Sequence, residues 1–225
     1  MNLAKLPVRT DFVEAVYQAL VDAISAGQLA PGTRLTQEDL AEQFQVSRSP
    51  VLQAMRLLKK DGLLQDAPGR GMLVAPLDPA WTGQLYQVRG ALDALAARLA
   101  AQRRAQLPAS LITQGRAAAL SGDLKAMIDA DSALHCAIYE ASGNPLIVQS
   151  ASLHWLHLRR VMGAVLQQRS GRSGIWDEHE AICLAIARGD AEAAAQLSWG
   201  HAEAAGTNLV GSLQATLARD QHARA

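Results

Sequence analysis

The chain has 225 residues, 49% of them hydrophobic and only 4% aromatic, and a formal net charge of zero. That length suits one large or two modest domains, and few aromatics with frequent alanine favour packed helices over sheets. Overall charge points to no polyanionic partner, and two cysteines, Cys136 and Cys183, rule out a disulfide framework and fit a reducing cytoplasm. No apolar run reaches the roughly 18 residues of a membrane span, and the stretch MNLAKLPVRTDFVEAV carries no apolar core with a cleavage site.

In chain order, residues 11–75 predict three helices and a hairpin. Phe12, Val16, Ala19, Leu20, Ala23 and Ile24 recur at helical spacing. Gly27 suits a C-cap, and Pro31-Gly32 a turn. Thr36 opens a short second helix, with Asp39 three residues on in the spacing of a capping box. A break at Gln45-Val46-Ser47 follows. Ser47 is then placed to cap a third helix, RSPVLQAMRLLKKDG, whose Pro50 lies in the first turn, where a missing N–H is tolerated. LLQD and MLVAP flank APGRG and predict two strands around a Pro-Gly turn, a wing.

A short helix, a tight turn and a helix opening Ser-Arg-Ser is helix-turn-helix geometry, which presents the first turn of the second helix to base edges in the major groove of double-stranded DNA. Arg48 can then pair with guanine O6 and N7, and Ser47 and Ser49 suit phosphate contacts. Residues 47–72 hold Arg48, Arg56, Lys59, Lys60 and Arg70 against Asp61 and Asp66, so positive charge collects on this helix and the wing. A small helical domain with an ordinary solvated face is the rival reading.

Ala75-Pro76-Leu77-Asp78-Pro79 reads as a linker. Beyond it six helices are predicted, at about 79–104, 108–120, 123–142, 145–169, 174–188 and 191–217, followed by a polar, frayed tail. Leu85, Val88, Leu92, Ala96 and Leu99 predict the inward face of the first. Arg89, about 60° from its centre, either pairs with Asp93 at the surface or reaches inward to grip a carboxylate, with Tyr86 adding a hydroxyl. In the third, Asp131 and His135 interrupt an apolar stripe of Leu124, Met127, Ile128, Leu134 and Ile138. One turn apart, they leave the same face. Burying them demands partners, either each other or something shared.

His179 lies within the stripe of Ile175, Ile182 and Ile186, and His201 shares a face with Leu197 and Ala204. The two are about equally far from the Gly189-Asp190 turn, so an antiparallel hairpin sets them opposite one another. Three imidazoles and one carboxylate would suit Zn²⁺, Ni²⁺ or Mn²⁺. Of His154 and His157 at most one faces this pocket, and His222 reads as solvated. The cysteines read as small buried apolar residues.

The run GQLAPGTRLTQEDLAEQFQVSRSPVLQAMRLLKKDGLL, with Arg70-Gly71 beyond it, resembles the winged-helix domain of GntR-family transcription regulators. One position departs: Leu52 stands where the family usually has a DNA-contacting arginine, and Gln53 where Glu is common. The resemblance therefore places DNA contacts on Ser47, Arg48, Ser49, Arg56, Lys59 and Arg70. Tyr86 and Arg89 with Asp93, Asp131-x-x-x-His135, Gly143-Asn144-Pro145, Glu178-His179, Gly189-Asp190 and His201 resemble the FCD effector domain of the FadR-like branch, and six helices its VanR-like subgroup. This implies a divalent metal on Asp131, His135, His179 and His201, and a small organic acid held by that metal and Arg89.

The expected fold is mainly α: a winged helix-turn-helix over residues 1–75, a linker at 76–79, an all-helical antiparallel bundle over 80–218 and a tail at 219–225. The expected function is a cytoplasmic, homodimeric operator-binding regulator, in sign a repressor, controlled by an organic acid. The rivals are a metal-dependent enzyme acting on a small carboxylate, whose nearest candidate bases, Glu178 and Glu180, do not share the inward face of His179, and a constitutive DNA-binding protein with a structural metal.

Overall fold

The computed structural model describes residues 12–165 and 174–224, with side chains to residue 219. The chain divides after Pro76 into two compact units. Pro79, predicted both as the end of the linker and as the start of the first bundle helix, opens that helix, where its fixed φ and missing N–H fit the first turn.

In the first unit, α1 (Phe12–Ser25), α2 (Gln37–Phe44) and α3 (Arg48–Lys60) pack around a small sheet of β1 (Arg34–Leu35), β2 (Leu64–Asp66) and β3 (Met72–Val74). The sheet order is β1-β3-β2, all antiparallel. Two residues are too few for an alternation signal, so β1 escapes the sequence pattern. The core takes Val16, Leu20 and Ile24 from α1, Val51, Ala54, Met55 and Leu58 from α3, Leu63 from the turn after it, and Leu35, Leu64 and Val74 from the sheet. Phe12, predicted on the inward stripe, is exposed. Thr36 caps α2 by accepting from the Asp39 N–H at 3.2 Å, as its spacing predicts. Ser47 sits at the N-cap of α3 with extended backbone but makes no side-chain cap bond.

The second unit comprises α4 (Pro79–Gln102), α5 (Ser110–Ser121), α6 (Leu124–Ala141), α7 (Pro145–Val165), α8 (Ile175–Arg188) and α9 (Ala191–Arg224). The predicted end of the fourth bundle helix at residue 169, and the break after it, lie outside the described residues. Helix α9 runs on to Arg224, past the predicted tail boundary at 218. Its axis lies antiparallel to α4, with Gly90 against Trp199, Tyr86 against Gly206 and Gly83 against Val210. Small residues permit this approach: a Cβ at Gly206 would stand 2.8 Å from the Cβ of Tyr86. On α5, a Cβ at Gly115 would meet the Trp176 ring at 2.0 Å, so this glycine makes room for an indole that supports the site described next.

The inward face of α4 is rotated from the predicted one. Val88 is exposed, while Thr82, Leu85, Tyr86, Arg89, Asp93, Ala96 and Ala97 are buried. Periodicity counts apolar positions only, and here the stripe centre is an ion pair.

Candidate functional site

The charged face of the first unit lies on α3 and the wing. Arg48, Lys59, Leu52 and Arg56 project within about 80° of arc at roughly 100° per residue. Ser47, Arg48, Ser49, Arg56, Lys59 and Arg70 are all exposed, and Leu52, half-buried, sits among them. Arg48 is 3.4 Å from Glu38, and Lys59 is 2.7 Å from Asp66. Exposed pairs of this kind are weak and screened by solvent, so neither cation is tied to its partner.

In the second unit four predicted residues converge. One donor atom from each of Asp131, His135, His179 and His201 lies within 4.8 Å of all the others. Helix α6 supplies the first pair one turn apart, and α8 and α9 supply His179 and His201 across the Gly189 turn. His179 Nε2 lies 3.4 Å from Asp131 Oδ1 and 3.1 Å from His201 Nε2. A cation at about 2.1 Å from each ligand separates neighbouring ligands by about 3 Å and opposite ones by at most about 4.2 Å, so the 3.1 and 3.4 Å separations match neighbouring ligands, while the 4.8 Å limit is slightly wider than a loaded shell. His201 is buried among Ser198, Ala202 and Ala205, whereas Leu197 and Ala204, its predicted companions, are exposed.

The surroundings fix which nitrogens face the centre. Burial pushes the imidazole pKa of His179 down to about 3 and that of His201 to about 4, with the His135 value also well below normal. All three are therefore neutral at pH near 7, with one lone pair each. His201 Nδ1 lies 2.8 Å from Glu178 Oε2, a carboxylate acceptor, so its proton sits there and Nε2 is bare. Arg89 Nη2, which can only donate, lies 2.9 Å from His135 Nε2, so that nitrogen is bare too. Its Nδ1 lies 3.6 Å from Asp93 Oδ2, just beyond hydrogen-bond reach. His179 has no such carboxylate: its buried Nδ1 lacks a hydrogen-bond partner, and its ring packs edge-on against Trp176. His201, oriented by a carboxylate, and His135, whose Nε2 lone pair accepts from Arg89, flank Asp131 together with His179; this donor set fits a divalent cation if the guanidinium gives up that lone pair.

Sequence reasoning missed part of this machinery. Arg89 and Asp93 are each 2% exposed, not a surface pair, and Arg89 Nε donates to Asp93 at 3.2 Å. Tyr139 donates its hydroxyl to the other Asp93 oxygen at 2.5 Å. The guanidinium stacks over Trp155 at 4.5 Å, and Nη1 points to the Tyr86 hydroxyl at 3.4 Å. Burial opposes charge on Arg89, but Asp93, Tyr86, Tyr139 and Asp131 together outweigh it and hold the guanidinium charged. Glu178, set aside as facing away from His179, reaches the site from its rim through His201. Tyr139 was findable, since it follows His135 by four residues as His135 follows Asp131. His157 instead packs against Trp81, 4.6 Å between ring centres, and His154 does not join the cluster. Cys136 is exposed and Cys183 half-buried. The side chain of His222 lies outside the described residues.

Two family models match the chain: "Bacterial regulatory proteins, gntR family" over residues 12–74 and "FCD domain" over residues 84–204. A helix-turn-helix-type regulator from an unstable DNA locus of Streptomyces ambofaciens is 30% identical over 180 residues, covering 78% of this chain and 75% of the relative. The regulator LutR of Bacillus subtilis is 30% identical over 191 residues, covering 74% and 87%. The structure of McbR/YncC from E. coli shares the fold, with a TM-score of 0.77 at 20% identity over 89% of this chain and 98% of that one. These relatives are regulators of transcription, not enzymes, and among the described residues no helix is long and apolar enough to cross a membrane. A winged helix and a helical unit with a buried carboxylate–imidazole cluster, matched by family models over residues 12–74 and 84–204, make this chain a DNA-binding transcriptional regulator of the GntR family with an FCD domain.

Proposed function

We propose that the protein is a cytoplasmic, homodimeric repressor whose operator affinity is set by a small organic acid bound in the helical unit. The convergence of Asp131, His135, His179 and His201 on one centre carries this reading. Those four side chains would hold a divalent cation, which would supply Lewis-acid coordination of a carboxylate. Arg89 aims Nη2 at the same centre, so an acid lodged there meets a guanidinium donor as well. Tyr86 adds its hydroxyl beside Arg89. Zn²⁺, Ni²⁺ and Mn²⁺ all accept this donor set.

On the DNA side, Ser47, Arg48, Ser49, Arg56, Lys59 and Arg70 make the contacts, with Arg48 reading a base edge. Leu52 offers no hydrogen bond, so the operator differs from those of relatives with arginine there. A homodimer sets two recognition helices about 34 Å apart, or a multiple of that, along a palindrome. The acid acts only through its differential affinity for two arrangements of the protein.

The test joins both halves. Thermal shifts are measured for a panel of organic acids with and without divalent metal, and hits are assayed for release of a duplex that the protein selects from a randomised pool. An acid that stabilises only the metal-loaded protein and releases the duplex is the expected result. Stabilisation by metal alone, with DNA binding unmoved by every acid, would leave a constitutive regulator with a structural cation. Arg48→Ala should weaken the selected duplex by about 1–3 kcal/mol and relax its sequence preference; unchanged affinity removes Arg48 from base readout.

A further inference from the structure

Arg34 stands outside every DNA contact assigned above. It lies on the edge strand β1, yet its side chain reaches across to the wing turn. Its Nη1 donates to the carbonyl of Arg70 at 2.6 Å and to that of Pro68 at 3.0 Å, and Nη2 donates to Pro68 at 3.0 Å. These are charge-assisted bonds to two carbonyls two residues apart, stronger than neutral ones. The turn they hold is unusual in its backbone. Gly69 and Gly71, on either side of Arg70, both have positive φ, +85° and +87°. Gly71 lies so close to β1 that a Cβ there would stand 2.5 Å from the Leu35 carbonyl oxygen. The wing tip is thus folded back onto β1 and pinned by one guanidinium, while the Arg70 side chain is exposed.

We propose that Arg34 is a positioning residue for DNA recognition: it braces the wing so that the Arg70 side chain meets the duplex. A tip of two left-handed glycines around one arginine has many conformations open to it. Fixing the Arg70 carbonyl removes most of them before DNA arrives, so less ordering is needed on binding. With its own donors directed into the wing, Arg34 is not arranged to grip a phosphate. The inference rests on the reading of Arg70 as a DNA contact.

The experiment uses the full chain and the duplex it selects from a randomised pool. Affinity is measured against salt for Arg34→Gln, Arg70→Ala and the double variant, with thermal melts to confirm folding. Arg70→Ala should weaken binding about tenfold and lower the salt slope by about one. Arg34→Gln should give a comparable loss, and the double variant no further loss, its slope still lower by about one. Gly69→Ala, whose added Cβ meets no atom within 4 Å but is strained at positive φ, disturbs the same turn and should behave as Arg34→Gln does. Multiplying losses, with a slope drop of about two, would make Arg34 a phosphate contact in its own right and overturn the brace. A normal Arg34→Gln beside a weakened Arg70→Ala overturns the brace and leaves Arg70 standing. A normal Arg70→Ala overturns both.

Discussion

Replacing His179 by alanine is expected to abolish binding of the divalent cation proposed for this cluster. His179 is fully buried, 3.1 Å from His201 Nε2 and 3.4 Å from Asp131 Oδ1, so its removal opens the centre of the cluster rather than its rim. Loss of a residue that merely orients a ligand weakens metal about 10–100-fold. Loss of a ligand itself should exceed that, beyond about 100-fold in titration calorimetry, with elemental analysis of the purified protein falling to background. Linkage gives an independent readout. Metal at about 1,000 times its dissociation constant stabilises a folded protein by about 4 kcal/mol, and the variant should show none of this. His154→Ala, on a histidine outside the cluster, should keep both metal and stabilisation. A His179→Ala protein that purifies with full metal would remove the ligand assignment.

Most of the architecture was legible because it is written in periodicity. The six bundle helices, the Thr36 cap and the Gly189 turn all follow from spacing and residue chemistry, and the hairpin turn set His179 against His201 by counting alone. What escaped was whatever periodicity cannot weigh. Strand β1 is two residues long and takes its place from pairing with β3, a partner remote in sequence. The inward face of α4 was misjudged because its centre is Arg89 and Asp93, which an apolar count reads as outside. Glu178 was set aside by its angle from His179, yet it acts on His201 across the hairpin, 2.8 Å away. In each case a contact from another element decided the matter.

The same buried ion pair supplies the largest expected loss of stability. Asp93 accepts from Arg89 and Tyr139 and lies 3.6 Å from His135 Nδ1, with 2% of its side chain exposed. Asp93→Ala leaves the guanidinium charged, out of water and without its counterion, and breaking a buried pair in this way costs about 3–5 kcal/mol. Urea titration should read that loss directly. The remedy is not a second charge. Arg89→Met combined with Asp93→Leu deletes both ions, and an apolar pair of similar volume is often neutral or better, so the double variant should recover most of the stability lost by Asp93→Ala. It should not recover the response to an organic acid, because the donor aimed at the metal centre is gone. An Asp93→Ala protein within about 1 kcal/mol of the parent would mean the pair behaves as if solvated. A double variant as weak as the single would locate the cost elsewhere, in the orphaned Tyr139 hydroxyl. Under the proposed function, stability and sensing would thus separate at one position: the fold needs only that the charge on Arg89 be answered, whereas a sensor of organic acids would need that charge to be there.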